Sequence, residues 1–349
     1  MSEDREIWCE VQGSVGRIHL NRPRAINALT LPMIHEMAAA LARFAADPAV
    51  ALVLVTGAGE RGLCAGGDIR ALYERGRDGS GFGADFFRAE YRMNAQIAGY
   101  AKPYVAIMDG ITMGGGVGIS AHGSVRIVTE RTRLAMPETG IGFFPDIGGT
   151  WLLARAPGEL GTYLGLSGES IGGADAIAAG LADDLVPSSA LPALVDALCA
   201  LPPTALRADV RAVVARFAQP AASPLAAHQG EIDTAFGGDD VAAILAALAA
   251  SGTDFARAAQ DSLARKSPTS LKLTLRLLRA ARHSASLRDC LEREFIAAHQ
   301  VLASDEFHEG VRAAVIDKDR NPHWNPASLD AVTEAVLAPY FTPRADTLF

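Results

Sequence analysis

Apolar and polar positions alternate from Glu6 to Leu20 on either side of Gln12-Gly13-Ser14, which predicts a hairpin ending at Asn21-Arg22-Pro23. The period then changes. Ile34, Met37, Ala38, Leu41 and Phe44 recur at three-to-four spacing, the stripe of an amphipathic helix over 31–44, and the apolar run 51–56 follows as a strand buried on both faces. Strand, helix and second buried strand require a crossover connection. The pattern recurs with a helical stretch over 85–100, a buried strand over 104–108, a glycine turn, a short helix through Ser120 and a strand over 125–128. Repeated β-α units predict an α/β fold on a mostly parallel sheet. Beyond Leu185-Val186-Pro187 the strand signals stop, and Ala- and Leu-rich helical patterns run on, broken at Pro202-Pro203, at 220–224 and at Gly237-Gly238. The expected organisation is a core over 1–200 and a helical region over 201–349. Ser267-Pro268 marks one helix start, with the hydroxyl as cap, the proline in the first position, and Leu271, Leu275 and Leu278 on one face.

Charge and composition narrow the function. The 349 residues carry 32 Lys+Arg against 40 Asp+Glu, a net charge of −8, with no basic block, which disfavours a nucleic-acid backbone as partner. The four cysteines form no C-x-x-C pair, and the eight histidines fall in no metal-ligand or hydrolase motif, so neither a metal nor a disulfide framework is expected. No apolar run reaches the roughly 18 residues of a membrane span. The opening MSEDREIWCE lacks a basic segment followed by an apolar one, and the expectation from it is a cytoplasmic protein. A homo-oligomer is compatible with all of this.

Gly57-Ala-Gly59-Glu-Arg-Gly62 spells G-x-G-x-x-G directly after a buried strand. The dinucleotide fingerprint needs a helix opening at its third glycine, with its N-terminus facing a pyrophosphate. Here Leu63-Cys64-Ala65-Gly66-Gly67 continues as an irregular loop, so a plain glycine-rich connection is expected and no nucleotide cofactor.

Two other glycine segments carry more chemistry. Cys64-Ala-Gly-Gly67-Asp68 follows the strand 51–56, and Met113-Gly114-Gly115-Gly116-Val117-Gly118 follows the strand 104–108. Glycines let a ligand approach the backbone, and each segment leads into a helix whose first N–H groups lack intrahelical partners. Two such amides can form an oxyanion hole; each segment by itself is also explained as a tight turn. Downstream, Glu138 and Asp146 stand eight residues apart among apolar and glycine neighbours. Desolvation raises the pKa of a carboxyl and suits it to proton transfer or nucleophilic attack. The competing explanations are that Glu138 opens a helix and that Asp146 caps the helix containing Trp151 and Leu152. Cys64 has no recognisable activating partner and is expected to be a packing thiol.

The order and spacing of Asn21–Leu29, Leu63–Ile69, Gly110–Gly118 and Met136-Pro137-Glu138 resemble the enoyl-CoA hydratase/isomerase (crotonase) superfamily. Within it the chain is most similar to the 3-hydroxyisobutyryl-CoA hydrolase family, through Phe86–Tyr91, Met113–Gly118, Phe144–Gly149 and Glu309–Asp319. The resemblance implies a ββα spiral core, a helical C-terminal region, an acyl-CoA thioester as substrate and no separate cofactor. It implies oxyanion-hole amides at Gly67 and Gly115, a catalytic Glu138, Asp146 and Glu90 against the hydroxyacyl group or the water, and Asp68, Ile69 and Arg70 lining the acyl-CoA tunnel. Hydratases of this superfamily carry a second catalytic glutamate at the position that is Gly118 here, and glycine cannot carry a proton. Thioester hydrolysis is therefore the expected reaction, with isomerisation or an atypical hydration as the alternative. Arg22, Arg24, Lys272, Arg276 and Arg279 are cations that could meet the CoA phosphates or be ordinary surface charge.

Overall fold

β1 (Ile7–Gln12) and β2 (Val15–Leu20) pair antiparallel as the alternation predicts, with Val15, Ile18 and Leu20 fully buried. The structure, a computed structural model, describes residues 5–76 and 78–349. β3 (Leu52–Gly57), β5 (Tyr104–Met108), β7 (Val125–Val128) and β9 (Asp184–Leu185) add in parallel, giving a six-stranded sheet of order β1-β2-β3-β5-β7-β9. Every parallel neighbour requires the chain to cross back over the sheet. α1 (Leu31–Ala46) makes the first crossing; Thr30 caps it by accepting from the Met33 N–H at 3.3 Å, and Met33, Ile34, Met37, Leu41 and Phe44 are buried.

A second sheet arises from three strands too short to show a period in the sequence: β4 (Gly62–Cys64), β6 (Ile111–Met113) and β8 (Arg133–Ala135), in the order β4-β6-β8. From β3 to β8 each turn of chain thus lays one strand in the large sheet and one in the small, and then turns helical. α2 (Ile69–Arg75) and α3 (Phe82–Ala98) follow β3 and β4, and α4 (Gly115–Gly118) follows β5 and β6. This is the ββα repeat. It corrects one detail of the sequence reading, because Leu63-Cys64 is strand rather than loop. A strand, not a helix, therefore opens at Gly62, and the G-x-G-x-x-G lacks the helix N-terminus that a pyrophosphate needs.

Two compact units interleave along the chain. The first comprises the described residues up to Gly67 with Arg92–Leu134 and Ile171–Pro224. In its core Val15, Leu54, Val105 and Ile127 of the large sheet pack with Leu194, Leu198, Val210 and Val214. The second comprises Asp68–Tyr91, Ala135–Ser170 and Leu225–Phe349. Among the described residues no strand follows β9, and the helical stretch expected over 201–349 belongs to the first unit up to Pro224 and to the second beyond it. Ser267 caps the helix Pro268–Arg282 as expected, accepting from the Ser270 N–H at 3.0 Å.

Candidate active site

In the first unit, the two glycine segments are carried by neighbouring strands. β4 and β6 pair in parallel, so the chain leaves both at the same end of the small sheet. The motif 21–29 builds the bed for the first segment. Ile26 and Asn27 take left-handed conformations (φ 48° and 54°), the buried Asn27 side chain donates to the Ala58 and Gly62 carbonyls at 3.0 and 3.1 Å, and Ala65 N–H donates to Ile26 O at 2.9 Å. Leu29 N–H donates to Gly66 O at 2.8 Å and bridges the turn. Gly66 stands at φ 115°, where a side chain would be strained, and a Cβ there would lie 3.4 Å from Met113 O and 3.7 Å from Gly115 N. At Gly116 a Cβ would meet Cys64 O at 2.4 Å. The two turns are therefore pressed together backbone to backbone. Among the described residues neither the Gly67 nor the Gly115 N–H donates a hydrogen bond. Cys64 is buried, its sulfur accepting from Gly66 N–H at 3.4 Å, which fits a packing thiol.

In the second unit, buried carboxyls gather among aromatic rings. Glu138 opens a short 3-10 turn, Glu138–Ile141, and is 6% exposed, with its Oε2 lacking a hydrogen-bond partner among the described residues. Asp146 accepts from the Tyr91 hydroxyl at 2.6 Å. Glu90, beside Tyr91 on α3, is 2% exposed and its Oε1 is likewise without a partner. Phe143 stacks on Phe144 at 4.7 Å and on Phe87 at 5.4 Å, and Tyr91 meets Phe295 edge-on. Such a setting offers little solvation to charge. Burial holds Glu138 well above the usual carboxylate range, the charge of Asp146 and then of Glu90 adding to it while half-buried Lys266 opposes. Burial and Asp146 raise Glu90 in the same direction. Asp146 is pushed up to about 7 by burial, with the Tyr91 hydrogen bond pulling against it.

The other expected residues are accounted for individually. Asp68 caps α2, accepting from Ala71 N–H at 3.2 Å; Ile69 and Arg70 open that helix, and Arg70 donates to Val315 O at 3.2 Å. The capping explanation of Asp146 does not hold: its side chain goes to Tyr91, and the helix α5 (Gly149–Leu153) starts on Gly148. The cap is a residue that sequence reasoning missed. Glu294, fully buried on the helix Leu287–Ala303, accepts from Gly148 N–H at 2.7 Å and Thr150 N–H at 3.1 Å. A signal for it existed, because Glu294 is an acid on the apolar stripe of Cys290, Leu291, Phe295 and Ala298. Tyr91 was missed as a partner for Asp146, since no spacing announces a contact 55 residues apart. The helix cations are engaged: Arg279 pairs with Glu159 and Asp239, Arg276 with Glu334, and Lys272 donates to Val332 O. Arg22 pairs with Glu6.

The repeat, the apposed glycine turns and the buried acids define a class, and the chain belongs to the enoyl-CoA hydratase/isomerase family, whose profile matches residues 15–341. Among curated proteins it is 42% identical over 346 residues to the mitochondrial 3-hydroxyisobutyryl-CoA hydrolase of Xenopus tropicalis, covering 97% of this chain and 89% of that one. It is 40% identical over 342 residues to the protein of that name from Homo sapiens, covering 96% of this chain and 88% of that one. Among solved structures, a carnitinyl-CoA dehydratase from Mycobacterium thermoresistibile is 46% identical with a TM-score of 0.93, covering 99% of both chains. An enoyl-CoA hydratase from Rhodobacter sphaeroides is 43% identical with a TM-score of 0.89, covering 97% of this chain and 98% of that one. The names of the curated relatives place them in mitochondria, which overturns the expectation of a cytoplasmic protein. The composition of ten N-terminal residues was the ground for that expectation, and it does not determine compartment.

Proposed function

We propose that this chain hydrolyses the thioester of 3-hydroxyisobutyryl-CoA, or of a closely related 3-hydroxyacyl-CoA, to the hydroxy acid and CoA. The observation that carries the reading is Glu138, a buried carboxyl with an unpartnered oxygen and a raised pKa. A carboxylate so placed is a stronger base, once ionised, than one in water. The names of the curated relatives support the substrate.

In this reading Gly67 and Gly115 donate their N–H groups to the thioester oxygen as it becomes an alkoxide, each donor contributing about 3 to 4 kcal/mol in comparable acyl chemistry. Glu138 removes a proton from the attacking water, the carbon–sulfur bond breaks, and the proton passes to the departing thiolate. Alternatively a Glu138 oxygen attacks first, and water then cleaves the mixed anhydride. Asp146 and Glu90 address the substrate hydroxyl or the water. Burial raises the pKa of Glu90 and so favours its proton-bearing, donating form, while Asp146 accepts. Asp68, Ile69 and Arg70 line the path of the acyl-CoA.

The names of the solved structures favour a second reading, water addition to or elimination from an acyl-CoA. Against it stands Gly118, where the resemblance expects the second proton-carrying glutamate. Incubation with 3-hydroxyisobutyryl-CoA and separately with crotonyl-CoA decides between them. Free thiol from the first alone is expected; alkene loss or migration from the second, without thiol, would replace the proposal.

A further inference from the structure

The turn after Asp146 has an uncommon backbone. Ile147 and Gly148 both take left-handed conformations, φ 56° and 75°, a region that a β-branched residue enters only where its surroundings impose it. Those surroundings include a single buried carboxylate. Glu294 accepts from the N–H of Gly148 through one oxygen, and from both the N–H and the hydroxyl of Thr150 through the other. Gly149 N–H closes the turn on the Asp146 carbonyl at 2.6 Å.

An aspartate at the start of a turn ordinarily folds back to accept from the amide two residues ahead. Asp146 stands in that place, two residues before the Gly148 N-cap of α5, and does not do so. Its carboxylate is directed to Tyr91, and the Gly148 amide it would have taken is satisfied by a second acid from 146 residues along the chain. Burying another carboxyl is costly, and Glu294 is pushed up to about 8 by burial, with the charge of Asp146 adding. The Gly148 amide by itself needs no such residue, since the Asp146 carboxylate two residues back could take it. A second buried acid there makes sense when Asp146 has to be kept off that amide.

We propose that Glu294 is a positioning residue of the reaction: it takes over the capping of the turn 147–150 and so holds the Asp146 carboxylate against Tyr91. This inference rests on the hydrolase reading for its kinetic test. Glu294→Gln is close in shape but loses one of its two acceptor oxygens, which frees an amide to recapture Asp146. The expected result is a kcat reduced about 10- to 100-fold with KM changed less than about threefold, the pattern of a displaced reacting group rather than of lost substrate binding. Combined with Tyr91→Phe, the double variant should be no slower than the slower single variant, because both changes remove the same contact.

Wild-type protein that releases no thiol from 3-hydroxyisobutyryl-CoA would overturn the hydrolase reading and this inference with it. Wild-type turnover accompanied by an unimpaired Glu294→Gln, or by losses that multiply in the double variant, would overturn the inference alone. Should Glu294→Gln not fold, Thr150→Val removes only the hydroxyl contact. A kcat loss of about 3- to 10-fold that is absorbed by Tyr91→Phe is then expected, and a full rate would overturn the inference.

Discussion

Tyr91 donates its phenolic hydrogen to the Asp146 carboxylate at 2.6 Å inside the second unit, and this bond opposes the burial that lifts Asp146 to about 7. Removing the hydroxyl leaves burial unopposed. Tyr91→Phe should therefore move the acid limb of the kcat/KM profile upward, by about one pH unit at most. An unmoved limb would show that Asp146 is not the group whose ionisation limits the reaction.

Glu138→Gln keeps the size of the side chain and removes its ability to take a proton or attack. Thiol release is expected to fall by about 10²- to 10⁴-fold, while calorimetric binding of the acyl-CoA stays within a few fold. Ordinary turnover by this variant would remove Glu138 from the chemistry.

The contact between the glycine turns is testable inside the first unit. A methyl at Gly116 would meet Cys64 O at 2.4 Å, so Gly116→Ala has to part the turns or shift one of them. The expected outcome is a loss of about 10² or more in kcat, with about 1 to 3 kcal/mol of stability lost in urea melts. A variant that is destabilised yet fully active would show that the spacing of the two amides is not critical.

Burial of the acids also sets a pH trend in stability. Glu138 titrates higher in the folded chain than in the unfolded one. Its contribution to stability is therefore fully present below the unfolded value near 4.5, and it is lost as pH rises through the elevated folded value. Glu138→Gln has no such proton to lose. Its stability relative to wild type should rise between about pH 5 and pH 8, and a difference that stayed flat across this range would mean that Glu138 ionises as freely when folded as when unfolded.

Legibility in the sequence followed the number of residues that each feature engages. β3 and β5 were readable because runs of apolar residues repeat one signal, as was α1 from its stripe. β4, β6 and β8 have three residues each and depend on partners far along the chain, so their existence shows only in the folded structure. At the site, Glu138 and Asp146 stood out as acids in apolar company, and their burial agrees. The competing explanation of Asp146 as a cap fails because local spacing cannot show that Tyr91 holds the same carboxylate, or that Glu294 arrives from another helix to take the Gly148 and Thr150 amides.

The crowding of Glu90, Glu138 and Asp146 among phenylalanine rings has a bearing on protein engineering. A campaign that selected only for heat resistance would be drawn to these positions, because neutral replacements there relieve mutual repulsion and unpaid hydration. On the proposed hydrolase reading, its winners would be sturdier proteins with nothing left to move a proton.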